Sequence, residues 1–348
     1  DTAGDAFELT GDAGITFDNK TAGATITGAD NGIDARNNGT GALSITTTGT
    51  TTGDTKHGIY AKNDNASSTS LTINAATTTG GRYGIYAQNY GAGELEITTT
   101  GTTTGETKDG IYAYNDEGTS LTINAADTTG GRYGIYAKNT GTGALSITTT
   151  GTTTGGTGYD GINAQNGSIY KYDGVSYVYG TSLTINAATT TGGQNGIKAI
   201  NKGTGALSIT TTGTTTGGGN GIYAINYGSG TSLTINAATT TGGRNGIYAF
   251  NYGTGALSIT TTGTTTGNRF DGINAYNQGT DLTINAAETE GRANGIKATN
   301  GDYFNPAGTD LTINAATTTG GTNGIFAANY GTGALSITTT GKTTGGTG

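Results

Sequence analysis

The 348-residue chain holds 67 glycines and 80 threonines but only 32% hydrophobic residues, too few large apolar side chains for a wide globular core. Charged residues are 11% of the total and the net charge is −8, which argues against a disordered polyelectrolyte and against nucleic acid or an anionic membrane surface as partner. With no cysteine and one histidine, there is almost no material for disulfides, a transition-metal site or a nucleophile–histidine pair. No apolar stretch approaches the length of a membrane-spanning helix, so no membrane insertion by this segment is expected; residues 1–30 do not read as a signal peptide, and for an exported protein a leader is expected to have been removed already.

Residues 1–30 are irregular, with a degenerate repeat at 14–19, and read as an N-terminal coil or cap. Residues 31–348 alternate two short elements without exception. Gly-Ile-x-Ala-x-Asn occurs twelve times between Gly32 and Gly324, and Leu-x-Ile twelve times between Leu43 and Leu335. Both have the two-residue period of a strand. In Gly58-Ile59-Tyr60-Ala61-Lys62-Asn63, the residues Ile59, Ala61 and Asn63 share one face; in Leu71-Thr72-Ile73-Asn74-Ala75, the residues Leu71, Ile73 and Ala75 point inward. A third short strand is expected in the Thr-rich runs such as 77–80, with glycine-rich corners between strands.

The expected fold is therefore all-β: a right-handed, single-stranded parallel β-helix of about 12 three-sided coils of about 26 residues each. A leucine-rich horseshoe has a similar period, but its helical or proline-rich arc is missing, and Pro306 is the only proline. At about 4.8 Å per coil the rod should be roughly 60 Å long. Like residues then stack. Asn37, Asn63, Asn89, Asn115, Asn139, Asn166, Asn201, Asn226, Asn251, Asn277, Asn300 and Asn329 should form a structural asparagine ladder at one corner, their amides bonded along the axis.

Two coil types alternate, one reading Ala-Leu-Ser-Ile-Thr-Thr-Thr-Gly (residues 42–49) and the other Leu-Thr-Ile-Asn-Ala-Ala (71–76), except that Leu282 and Leu311 both begin the second type. From the ladder asparagine to the next Leu the first type always takes six residues and the second takes five to 17. Insertions are thus confined to places where the chain leaves the ladder, where function is usually added. The longest, residues 167–180, reads as a β-hairpin with Asp173-Gly174 at its turn. Tyr170, Tyr172, Tyr177 and Tyr179 give it an aromatic surface, and a second insertion at 301–309 carries Tyr303 and Phe304. Both leave the same corner, which makes these six residues the candidate ligand-binding loops.

Little else offers chemistry. His57, in the loop 54–57, reads as solvated, and Asp116-Glu117 as a solvated acidic pair. Arg82, Arg132 and Arg244 share one corner position, but no carboxylate cluster beside them resembles the calcium site of pectate-lyase-like β-helix enzymes. No catalytic residue, metal or cofactor is expected. Outward tyrosines Tyr60, Tyr86, Tyr112 and Tyr136, resumed at Tyr223 and Tyr248, should stack as a stabilising column, with a carbohydrate-stacking strip as the functional alternative. An ice-binding face of Thr-x-Thr type conflicts with the alternation of coil types.

The passage Asn139-Thr-Gly-Thr-Gly-Ala-Leu-Ser-Ile-Thr-Thr-Thr-Gly151, followed by a Gly-Ile-x-Ala-x-Asn coil, resembles the passenger regions of bacterial autotransporter adhesins. The resemblance extends over nearly the whole chain from about residue 30. It implies a secreted protein at the bacterial cell surface, whose partner is a host or bacterial surface protein or a glycan. The repeats run to the last residue without a recognisable C-terminal cap, and uncapped strands pair readily. The alternative expectation is therefore a structural subunit that binds itself by end-to-end stacking into an extracellular filament.

Overall fold

Each Gly-Ile-x-Ala-x-Asn element forms a short strand because its alternate residues can be buried while the glycine lets a neighbouring chain approach. In a computed structural model, described for residues 4–172, 175–302 and 308–346 (backbone only at 169–172 and 175–179), these twelve strands and Phe7–Gly11 make a parallel sheet of thirteen. Its register is residue for residue: Ile59 aligns with Ile85, Ala61 with Ala87 and Asn63 with Asn89. The chain is all-β, a parallel solenoid of about 12 turns of about 26 residues, and no helix occurs among the described residues.

The other two faces belong to one nineteen-stranded sheet, because the Leu-x-Ile and Thr-rich strands often run together. Leu71–Gly80 is a single ten-residue strand, whereas Leu121–Ala125 and Thr128–Gly130 are separate. Between Leu and the third strand the first coil type has one residue more than the second. The register absorbs it at the corner, slipping between Thr47 and Thr50 against Ala75 and Thr77. Where two coils of the second type adjoin, Leu282–Gly291 and Leu311–Gly320 pair without a slip. The N-terminal segment takes the same form: Phe7–Gly11, Ile15–Asn19 and Thr25–Gly28 pair with Ile33–Asn37 and Leu43–Gly53 as one coil of three strands.

The core is one side chain deep. Ile59, Leu71, Ile73, Ile85, Leu95 and Ile97 are completely buried, each contributing on the order of 2 kcal/mol of transfer free energy. That burial depends on having a coil on both sides: Leu335 and Ile337, with a neighbour on one side only, are 49% and 46% exposed. The third face is lined from inside by threonines such as Thr78, Thr128 and Thr215, fully buried, whose hydroxyls find no hydrogen-bond partner among the described residues. Their methyl groups press on the strand glycines. A Cβ on Gly58 would lie 2.5 Å from Thr78 Cγ2 and 2.8 Å from the carbonyl of Thr79, so the glycine is dictated by close approach.

Candidate binding faces

The asparagine ladder is complete. From Asn37 to Asn329 each side-chain amide donates to the carbonyl oxygen of the next, at 2.8–3.2 Å. The second amide hydrogen binds the backbone where the next strand begins: Asn37 to Gly41 O, Asn63 to Ser70 O, Asn226 to Ser232 O. This second bond closes the corner whatever the chain does between. Asn166 Nδ2 reaches Ser182 O at 3.0 Å across the longest insertion, and Asn300 Nδ2 reaches Asp310 O at 3.1 Å across the other. Both insertions therefore leave the same ladder position, five coils apart, or about 24 Å.

The longer insertion rises as an antiparallel hairpin, Ser168–Tyr172 against Val175–Tyr179. Its feet are held to the preceding coil, Gly167 N donating to Asn139 O at 2.8 Å and Thr181 N to Gly143 O at 2.9 Å. Gly167 and Gly180 have φ of 82° and 84°, a left-handed turn in and out of the coil that other residues resist. Tyr170 pairs with Tyr177, Tyr172 with Val175 and Ser168 with Tyr179, so strand alternation puts positions 170, 172, 177 and 179 on one face of the ribbon. The expected turn at Asp173-Gly174 and the residues Tyr303 and Phe304 lie outside the described residues.

The outward side of the first sheet carries the tyrosine column. Rings of Tyr60, Tyr86, Tyr112 and Tyr136 stack at centroid distances of 5.2, 4.7 and 5.1 Å, within 6° of parallel. Rings stacked along the rod cover one another's faces and turn their edges outward, which serves coil-to-coil cohesion and leaves little for a sugar to stack upon. Arg36 covers the start of the column, its guanidinium 4.8 Å from the Tyr60 centroid.

His57 departs from the expectation of a solvated loop residue. It begins the strand His57–Asn63, is 9% exposed, and is enclosed by Tyr60, Tyr83 and Tyr86 at 5.2–5.5 Å between ring centres. Burial, reinforced by the positive charge of Arg82, lowers its pKa to about 4. The loop pattern hid this because two of the three enclosing rings, Tyr83 and Tyr86, come from the next coil.

A second polar column, missed in the sequence, precedes the strand glycine. There the side-chain oxygen accepts a backbone N–H from the next coil: Asn31 from His57, Asp109 from Tyr133, Asp160 from Asn195, Asn195 from Asn220, and Asn245 from Asp271. The signal was present as Asn-Gly-Ile or Asp-Gly-Ile in nine of the twelve repeats. Asp109 is almost fully buried, and that burial raises its pKa to about 6 against the opposing pull of Arg132, whose Nε lies 3.7 Å away. Burial likewise raises the pKa of Asp160.

Where Asn274 interrupts the tyrosine column, a cleft of about 520 Å³ opens. Tyr248 and Lys297 stand on either side, with Asn245, Asp271 and Asn294 along one edge and Arg244 and Phe270 beyond them. Arg82, Arg132 and Arg244 lie on three coils, and of these Arg132 has the carboxylate partner just described. Asp116 and Glu117 border a shallower hollow with Lys62, Asp64 and Tyr90, and Asp116 accepts a bond from Thr140 Oγ1 at 2.6 Å. Among the described residues no group of three or more His, Cys, Asp or Glu side chains is placed to hold a metal. Comparison with protein-family models, curated proteins and solved structures finds no match for this chain.

Proposed function

We propose that the protein is a non-enzymatic, secreted scaffold of the bacterial cell surface, an adhesin-like rod whose binding loops leave one corner. The observation that carries this reading is the way the ladder treats insertions. Asn166 and Asn300 close their coils beneath the two inserted loops, so loop length and composition vary there without disturbing the core. The hairpin at 168–179 has its four tyrosine positions on one face of the ribbon, and tyrosine supplies large contact area at low entropic cost. The acid–base groups with perturbed pKa give no support to catalysis: His57 is walled in by rings and Asp109 is engaged with Arg132 and the backbone of Tyr133.

The partners that fit are a host or bacterial surface protein, or a glycan. Joining Gly167 directly to Gly180 should abolish attachment of rod-coated beads to epithelial or bacterial cells while moving the unfolding midpoint by no more than about 1 °C, since surface changes cost little. Undiminished attachment by the deletion variant overturns the reading.

A further inference from the structure

The outer face of the first sheet departs from its repeat twice in the same way. Before the strand glycine, aspartate stands only at Asp109, Asp160 and Asp271; in the tyrosine column, asparagine stands only at Asn163 and Asn274 and lysine only at Lys198 and Lys297. These exceptions fall together. Tyr136, Asn163 and Lys198 occupy successive coils, and so do Tyr248, Asn274 and Lys297.

The bonds repeat atom for atom. Asp160 Oδ1 accepts from the backbone and side-chain nitrogens of Asn195 at 3.0 and 2.7 Å, and Asp271 Oδ1 from those of Asn294 at 3.1 and 2.7 Å. Their Oδ2 atoms accept from Asn163 Nδ2 at 2.8 Å and Asn274 Nδ2 at 3.0 Å. An aromatic residue precedes each aspartate, Tyr159 and Phe270, and its carbonyl takes a 2.8 Å bond from the next coil in both places. Arg132 and Arg244 stand one coil before. Copying of whole coils does not explain this, because other outward positions on the same strands differ: Lys138 against Phe250, Gln165 against Tyr276, Ile200 against Thr299. Asp109, which lacks the asparagine and the lysine, marks the contrast.

We propose that the two constellations are equivalent binding sites for an acidic saccharide, one bearing a carboxylate or sulfate. Each aspartate has three donors from its own chain and serves to fix the asparagine amide beside it. Lys198 and Lys297 form no ion pair among the described residues. Each site sets one lysine against one aspartate, and Lys198 acts on the charge of Asp160. The aspartates are held inward by their amide donors, so the lysines are the outward cations of these sites on a chain whose net charge is −8. Fixed amides suit ring hydroxyls, lysine suits the acidic group, and Phe270, 44% exposed, offers an apolar surface to the CH face of a sugar ring. The sites are four coils apart, or about 19 Å along the rod, so a linear acidic oligosaccharide lying on this face engages both and gains by linkage. Neither site includes the hairpin, so this inference and the reading above fail separately.

The test is calorimetric titration of the intact chain with hyaluronan, oligogalacturonate and heparin tetrasaccharides, with chitotetraose and a thymidine tetranucleotide as controls. The expected result is saturable binding of at least one acidic saccharide at two sites per chain. Lys198→Gln or Lys297→Gln should each remove one site, and the double variant should bind at least tenfold more weakly with an unchanged unfolding midpoint. Any of three results overturns the inference: no saturable binding of the three acidic saccharides, equal binding of a control, or a folded double variant that binds like the wild type.

Discussion

Two columns of side chains run the length of the rod, and they tolerate different things. The ladder from Asn37 to Asn329 is asparagine in all twelve coils, whereas the column before the strand glycine holds asparagine, aspartate, histidine and tyrosine. Both bond along the axis; the ladder is buried from Asn37 to Asn300, and the other column is buried at Asn31, Asn195 and Asn245 but half-buried at Asn220 and Asn294. The difference is what each position must do. A ladder amide has to accept one bond and donate two, to its neighbour and to the corner backbone, and only asparagine does this in that space. The outer column needs only an acceptor for the next backbone N–H, which a carboxylate supplies equally well. Where His57 and Tyr83 stand, ring packing replaces it.

The contrast is broken most directly by placing aspartate in each column. Asn226→Asp deprives Asn251 Oδ1 and Ser232 O of their donor and buries a charge, and should lose about 3 kcal/mol or more. Asn220→Asp recreates the Asn-Asp-Asn order already present at Asn245, Asp271 and Asn294, and should cost about 1 kcal/mol or less. Urea unfolding of the pair decides the matter; equal losses would mean that donor count does not distinguish the two columns.

His57 sharpens the comparison through pH. The folded imidazole stays neutral down to about 4 while the unfolded one takes its proton near 6.5, so stability falls as pH drops through that window. The loss should be about 1–2 kcal/mol after allowance for partial solvation, and it should vanish in His57→Asn, read as midpoint against pH. Asp109 has the opposite sign. Its folded carboxyl holds a proton up to about 6 and the unfolded one ionises near 3.8, so its contribution declines as pH rises between those values. Asp109→Asn should accordingly stabilise the protein slightly at pH 7 and steepen its loss of stability below pH 6.

Much of this was legible beforehand. The asparagine ladder, the alternation of coil types and the hairpin all follow from spacing, because a repeat that stacks in register turns each recurring residue into a column. The isolation of His57 among rings and the outer acceptor column were not read, since all but one of the partners, Tyr60 beside His57, lie in the next coil, about 26 residues on. The threonine-lined third face was equally hidden. Thr-Thr-Thr-Gly looks the same whether its hydroxyls point out or, as at Thr78, in.

By itself the amino-acid sequence determined the solenoid, its period, and which corner takes insertions, for these depend on local alternation and the distance between identical residues. Tertiary structure alone decided which outward side chains meet. Tyr248, Asn274 and Lys297 are separated by whole coils in the chain and become neighbours only when stacking brings their strands side by side.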